Sequence, residues 1–357
     1  MPTLPQLDTA KNTNYSPHVV ILGAGASLAV CPQGDVNGRK LPLMRNLVEI
    51  VGLAPMLRSH GIVDGYEDFE ALYDHLASDA LYASLLADLE QAVRRYFSEM
   101  RLPPQATIYD LLLLSLRSKD VIATFNWDPF LCEAVKRNRD ISNLPRILFL
   151  HGNVDVGVCV EHQAKGFHEH RCNSCHRPLS PTPLLFPVKH KDYSSNPFIK
   201  AEWDELKWYM KHAYLVTIFG YSAPATDVEA KQLLLQAWQD NSTRELAEVE
   251  IVDIRPRGEI EQSWSPFFVR QHYGVLSRIE QSLSFMYVRR SCDAFAMATL
   301  QQRPWKENKY PANRTLEQIK RWLQPLLQEE QAGLLSGMPC AAPYNKVMHA
   351  TCEDARP

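Results

Sequence analysis

The stretch His18-Val19-Val20-Ile21-Leu22-Gly23-Ala24-Gly25-Ala26-Ser27-Leu28-Ala29 decides how this 357-residue chain is read. Val19 to Leu22 form the short β-branched run of a strand buried on both faces of a parallel sheet. Gly23, Ala24, Gly25 and Ala26 then keep bulky Cβ substituents away from the turn, and Ser27 opens a helix whose first amides favour an anion. This is the outline of a strand, a phosphate-approach turn and a helix. Two glycines are fewer than the three of a full dinucleotide fingerprint, because Leu28 stands where the third would be. The competing reading is a tight strand-to-helix turn with no ligand, so the rest of the chain has to arbitrate.

Working outward, helices and strands alternate. Residues 41–51 place Leu43, Leu47, Ile50 and Val51 at helical spacing, with Pro42 in the first turn. Between Tyr66 and Met100 apolar residues recur every three or four positions, and Ser78-Asp79 offers an N-cap between two helices. Strands are predicted at 121–125, 147–150, 214–220, 249–254 and 284–288. Helices are predicted at 108–116, from about Pro129, at 225–238, 292–300 and 315–328. The expected architecture is α/β: a Rossmann-like parallel sheet with helices on both faces, a helical insertion over 54–118 and a small zinc-ribbon module over 155–190. Residues 1–17 and 331–357 read as flexible ends flanking one domain over 18–330.

Composition narrows the function classes. A hydrophobic content of 45%, a charged content of 22% and a formal charge of -3 are those of a water-soluble globular chain. They give no electrostatic case for nucleic acid or an anionic membrane surface. Residues 1–17 lack the apolar core of a signal peptide, and no apolar run is long enough to span a bilayer, so cytoplasm is the expected compartment. The eight cysteines read as reduced thiols with one metal-type cluster. In that cluster Cys159 and His162 are separated by two residues, as are Cys172 and Cys175, the paired knuckles of a tetrahedral structural zinc. His168, His170 and His176 are alternative fourth ligands.

Several strand ends carry chemistry. Asn126 and Asp128 follow the second predicted strand, His151 the third, Gly220 and Ser222 the fourth, and Asp253 the fifth. Carboxyl ends of parallel strands are where ligands bind in open α/β sheets. The ordered set G-A-G-A-S at 23–27, T-F-N-W-D at 124–128, H-G at 151–152, the cysteine knuckles, G-Y-S at 220–222 and V-D-I at 252–254 resembles the sirtuin, or silent-information-regulator, family. The resemblance implies that Gly23, Ala24, Gly25, Ala26 and Ser27, with Gly220 and Ser222, hold the pyrophosphate of NAD. It implies that Asn126 and Asp128 face the nicotinamide ribose, that His151 is the general base and that Asp253 binds the adenosine ribose.

The sequence also departs from that family's protein deacylases. Their G-I-P-x-F-R stretch has its nearest match in K-L-P-L-M-R at 40–45, where Pro42 and Arg45 correspond and Met44 replaces the aromatic. Nothing after G-Y-S looks like a strand on which an acyl-lysine peptide would pair. These features resemble the bacterial defence branch, whose members hydrolyse NAD. NAD glycohydrolase is therefore the leading expectation. A protein deacylase and a non-catalytic NAD or ADP-ribose sensor are the alternatives. An ungated NAD hydrolase would poison its host, so an activating partner or a homo-oligomer is expected, with the helices of 66–100 as the candidate surface.

Overall fold

A computed structural model describes residues 16–188, 192–222, 227–270 and 272–336. Six parallel strands form the main sheet: β1 (His18–Leu22), β2 (Val121–Thr124), β3 (Arg146–Phe149), β7 (Leu215–Phe219), β8 (Glu248–Val252) and β9 (Tyr273–Leu276). Their spatial order is β3-β2-β1-β7-β8-β9, with Val19 beside both Val121 and Val216. This is the doubly wound, Rossmann-like order, and it reverses direction between β1 and β7. A second, antiparallel sheet joins β4 (Val156–Cys159), β5 (Ala164–Phe167) and β6 (Ser180–Pro181) in the order β5-β4-β6.

The helices follow in chain order. Between β1 and β2 lie α1 (Ala24–Val30), α2 (Leu47–Val51), α3 (Ala54–Ser59), α4 (Phe69–Ala77), α5 (Ala83–Ser98) and α6 (Ile108–Ser115). Then come α7 (Phe130–Arg137), α8 (Pro197–His212), α9 (Val228–Gln239), α10 (Arg257–Trp264), α11 (Leu283–Met286), α12 (Ser291–Thr299) and α13 (Leu316–Ser336). Successive residues of a strand point to opposite faces, and the core divides accordingly. Val20, Leu22 and Ile122 join one apolar cluster with residues of α2 to α6, including Leu89 and Phe97. Val19, Ile21, Val121 and Ala123 join the other, with Trp203, Trp238 and Trp264 of α8, α9 and α10. Helices therefore cover both faces, as expected.

Two expectations fail. Residues 41–51 are not one helix: Leu41 to Leu43 are irregular, a 3₁₀ turn spans Met44–Asn46, and only α2 is α-helical. The Asn46 side chain accepts from the Leu43 amide at 2.8 Å and fixes the start of that tighter turn. Residues 284–288 are not the sixth strand but belong to α11 and its exit, and the edge strand is β9. Here tertiary contacts override β propensity. The Leu283 amide donates to buried Glu250 Oε1 at 2.9 Å, and the Ser282 and Ser284 hydroxyls bond each other at 2.8 Å. Asp79 does act as a cap, accepting from the Leu81 amide at 2.9 Å, but of a 3₁₀ turn. Residues 1–15 and 337–357, most of the two expected flexible ends, lie outside the described residues.

Candidate active site and metal centre

A cavity of about 940 Å³ opens at the carboxyl ends of the parallel strands, where the strand order reverses. Gly23, Ala24, Gly25, Arg45, Asn126, Asp128, His151, Gly220, Ser222 and Asp253 all line it. Ala26 and Ser27 are buried just behind. The sequence-predicted residues thus converge from four strand ends, one helix start and the 3₁₀ turn.

The glycine turn is built first by protein against protein. The Gly23 amide donates to Phe219 O at 3.0 Å and the Gly25 amide to Gly220 O at 2.9 Å. A Cβ on Gly23 would sit 2.5 Å from Gly220 O, and one on Gly220, whose φ is +64°, would sit 2.2 Å from the Ala26 nitrogen. The Ala26 amide also turns inward, to Gly23 O at 2.9 Å. Close approach of the β1 and β7 turns therefore explains these glycines without any ligand, and it engages two of the amides that the sequence reading assigned to phosphate.

Below this turn lies a buried polar cluster. Asn126 Nδ2 donates toward Gly23 O at 2.8 Å, Ser27 Oγ at 2.9 Å and the Tyr109 hydroxyl at 3.1 Å, while Ser27 and Tyr109 are 2.7 Å apart. Tyr109 was not anticipated; it stands in the first turn of α6, which the capping box Thr107-x-x-Asp110 starts. Asp128 is 3% exposed. Burial pushes its carboxyl up to about 6, with Ser27 and the Phe130 amide partly offsetting the effect. Asn153, also unanticipated, holds the loop in place by donating to Asp128 O at 2.7 Å and Asn126 O at 3.2 Å.

His151 is 6% exposed and clamped between rings. Phe125 meets it edge-on with centroids 4.8 Å apart, and Tyr193 lies nearly parallel at 5.7 Å with its hydroxyl 3.0 Å from Nε2. Tyr221 stacks on the other side of Phe125 at 4.2 Å and donates to Asp227 Oδ2 at 3.2 Å. Besides Asp128 and Asp253, Glu67, Asp68, Glu70, Asp227 and Glu280 line the cavity as acids, and Arg45, Arg255 and Arg278 line it as bases. The start of α4 lies toward His151: Tyr73 of α4 stacks on Phe186 at 5.0 Å, and the adjacent Leu185 amide donates to His151 O at 3.0 Å. The arginines that follow β8 and β9 lie toward the opposite edge of the sheet. Asp253 is already committed there, accepting from the Arg255 amide at 3.0 Å on Oδ1 and from Arg255 Nε and Nη2 at 2.9 and 2.8 Å on Oδ2.

In the small sheet, one ligand atom each from Cys159, His162, Cys172 and Cys175 lie within 4.8 Å of one another. Three thiols and an imidazole fit a tetrahedral zinc, and four protein ligands leave no open position, so the metal there would serve structure alone. Of the alternative histidines, His168 pairs with Asp155 at 3.3 Å. The six described cysteines are all free thiols.

No protein-family model and no curated protein matches the sequence. Among solved structures the chain is similar to a Sir2 homologue in complex with NAD, at 14% identity over 81% of this chain and 91% of that one, with a TM-score of 0.40. It is similar also to a structure described as the structural basis for the mechanism and regulation of Sir2 enzymes, at 16% identity over 82% and 95% of the two chains, with a TM-score of 0.38.

Proposed function

We propose that this chain hydrolyses NAD at the nicotinamide glycosidic bond, releasing nicotinamide and ADP-ribose. The observation that carries the reading is the buried cluster of Ser27, Tyr109, Asn126 and Asp128 opening, together with His151, into a cavity at the strand-order reversal. From the end of β3 to the end of β8 is four inter-strand spacings of about 4.8 Å, roughly 19 Å, a reach suited to a dinucleotide. Asp227, bonded to the Tyr221 that stacks on Phe125 beside His151, suits a cationic pyridinium, while the β8–β9 end carries arginines paired with acids.

In this reading Asn126 and Asp128 fix the ribose as positive charge develops at its anomeric carbon. The bond from that carbon to nitrogen breaks, and its electron pair leaves with nicotinamide. Water attacks the same carbon, and His151 takes the water's proton. Arg45, Ser222 and the Gly23–Ser27 and Gly220 turns face the pyrophosphate, and Asp253, through its pair with Arg255, faces the adenosine ribose. A structural zinc on Cys159, His162, Cys172 and Cys175 completes the chain. Elemental analysis of protein purified without added metal should find one zinc per chain, lost when Cys172 and Cys175 are replaced by serine. Stable metal-free protein would refute it.

Defence by NAD depletion is the setting that the sequence resemblance suggests, with cytoplasm as the compartment; among the described residues no helix is long and apolar enough to cross a membrane. An activating partner or self-assembly gates the reaction. The apolar stripes of α4 and α5 are largely internal, which leaves Leu81 and Val63, 79% and 69% exposed, as the insertion's outward apolar positions. Light scattering that finds a monomer in both active and inactive samples rejects assembly.

The deciding experiment incubates the purified protein with NAD, with and without an acetylated peptide. Nicotinamide and ADP-ribose formed without peptide support the hydrolase. Consumption only with peptide, with acetyl transferred to the ribose, would make it a deacylase. Binding of NAD with no turnover, even with candidate activators, would make it a sensor.

A further inference from the structure

We infer that Tyr193 is a positioning residue that selects which nitrogen of His151 acts on the substrate. The inference rests on the proposed role of His151 as the base. His151 lines the cavity, whereas Tyr193 is not among the lining residues. The phenol is 3.0 Å from Nε2, so the edge of the imidazole that carries this nitrogen is turned toward Tyr193. The ring has little freedom to turn over. Phe125 abuts it at 4.8 Å, Tyr193 stacks on it with planes 18° apart, and Tyr193 itself rests on Trp203 at 4.7 Å. Trp203 in turn is anchored by its Nε1–H to Leu150 O at 3.2 Å, one residue before His151.

A neutral imidazole carries one proton, so the two nitrogens are never equivalent. For Nδ1 to accept a proton from the cavity side, Nε2 must carry the hydrogen and donate it to the Tyr193 oxygen. A base held in its working tautomer by a hydrogen bond from behind is a general device of acid–base sites, and loss of that partner lets the wrong tautomer form. The Tyr193 oxygen is suited to accept. It is 7% exposed, and the acids near it are Asp227 and Glu229, with Asp227 also bound by Tyr221 and Glu70 lying beyond Tyr221. When His151 becomes an imidazolium, the Nε2–H bond to Tyr193 becomes charge-assisted and shortens, so the contact stabilises the state that the reaction passes through.

The test is Tyr193→Phe, which removes the hydroxyl and keeps both ring stacks. NAD cleavage should lose about tenfold to 100-fold in kcat with KM changed by less than about threefold, because the hydroxyl touches no substrate. Nitrogen NMR of labelled His151 should show Nε2 protonated in the parent and a mixture of tautomers in the variant. An unchanged kcat, a loss confined to KM, or an Nδ1-protonated His151 in the parent overturns the inference while leaving the hydrolase reading intact. If His151→Ala cleaves NAD as fast as the parent, the reading beneath it falls, and the inference with it.

Discussion

Two regions of this molecule bury polar and charged side chains, and they do so in opposite ways. At the C-terminal helix, Arg289 and Arg290 are almost wholly buried against Glu330, with nitrogen–oxygen distances of 2.6 Å to each arginine, and Glu329 adds a contact of 3.1 Å to Arg290. Arg289 also caps the open carbonyls of Leu114 and Leu116. Opposite charges meet within hydrogen-bond distance, and although burial alone would raise the Glu330 carboxyl, the two arginines hold it below its usual range. In the crevice, Asp128 is equally buried, yet what offsets its burial is the Ser27 hydroxyl and backbone amides, not an opposite charge. Its carboxyl drifts upward instead. Burial matched by opposite charge holds a fold together. Burial without it costs stability and shifts titration, as it also does at Glu250, whose carboxyl burial pushes up to about 7.

The contrast can be broken or sharpened by mutation. The largest effect should come from Glu330→Ala, which takes from Arg289 its carboxylate partner and from Arg290 the nearer of two; unfolding by denaturant should show a loss of about 3 to 5 kcal/mol. A loss below about 1 kcal/mol would mean that the helix is not held by these pairs. Next, His151→Ala and Asn126→Ala should each slow NAD cleavage about 100-fold or more, near 2.7 kcal/mol of barrier, in variants that still fold although each loses a buried side chain. Retained rate in a folded variant would remove these residues from the chemistry.

A smaller and opposite effect is expected for Asp128→Asn. In the folded chain Asp128 keeps its proton up to about pH 6, whereas the unfolded chain releases it near 3.8, so stability falls as pH rises through that window and stays lowered above it. At pH 7.5 the neutral asparagine should therefore stabilise the fold by about 1 to 3 kcal/mol while abolishing activity, and the gain should vanish near pH 4. Equal stability of variant and parent across that range would show that burial does not strain the carboxyl. Smallest of all, Lys211→Ala should cost under about 1 kcal/mol, since its 2.9 Å pair with Asp240 is half exposed and solvent-screened. A cost comparable to that of Glu330→Ala would erase the distinction between buried and exposed pairing.

Much of the architecture was legible because parallel strands buried on both faces leave dense β-branched runs: Val19 to Leu22, Val121 to Thr124 and Leu215 to Phe219 stand within a residue or two of their expected bounds. The edge strand β9 was not, since Tyr273-Gly274-Val275-Leu276 is half-buried and carries no such run. The residues expected at the strand ends do converge on one cavity, because topology delivers carboxyl ends to one edge. Tyr109 lies inside a capping box that marks a helix start and not a site, and Asn153 and Tyr193 lie outside the motifs that were read. Their places depend on how α6, the loop after β3 and the segment before α8 pack, which no local pattern encodes.

The glycines that opened the reading have a different standing once Gly23, Gly25 and Gly220 are seen pressed backbone to backbone. They bolt two turns into one rigid unit before any nucleotide arrives. A descendant of this chain that lost every catalytic group would still need all three to fold. The glycine pattern would then survive as a relic in an inert protein.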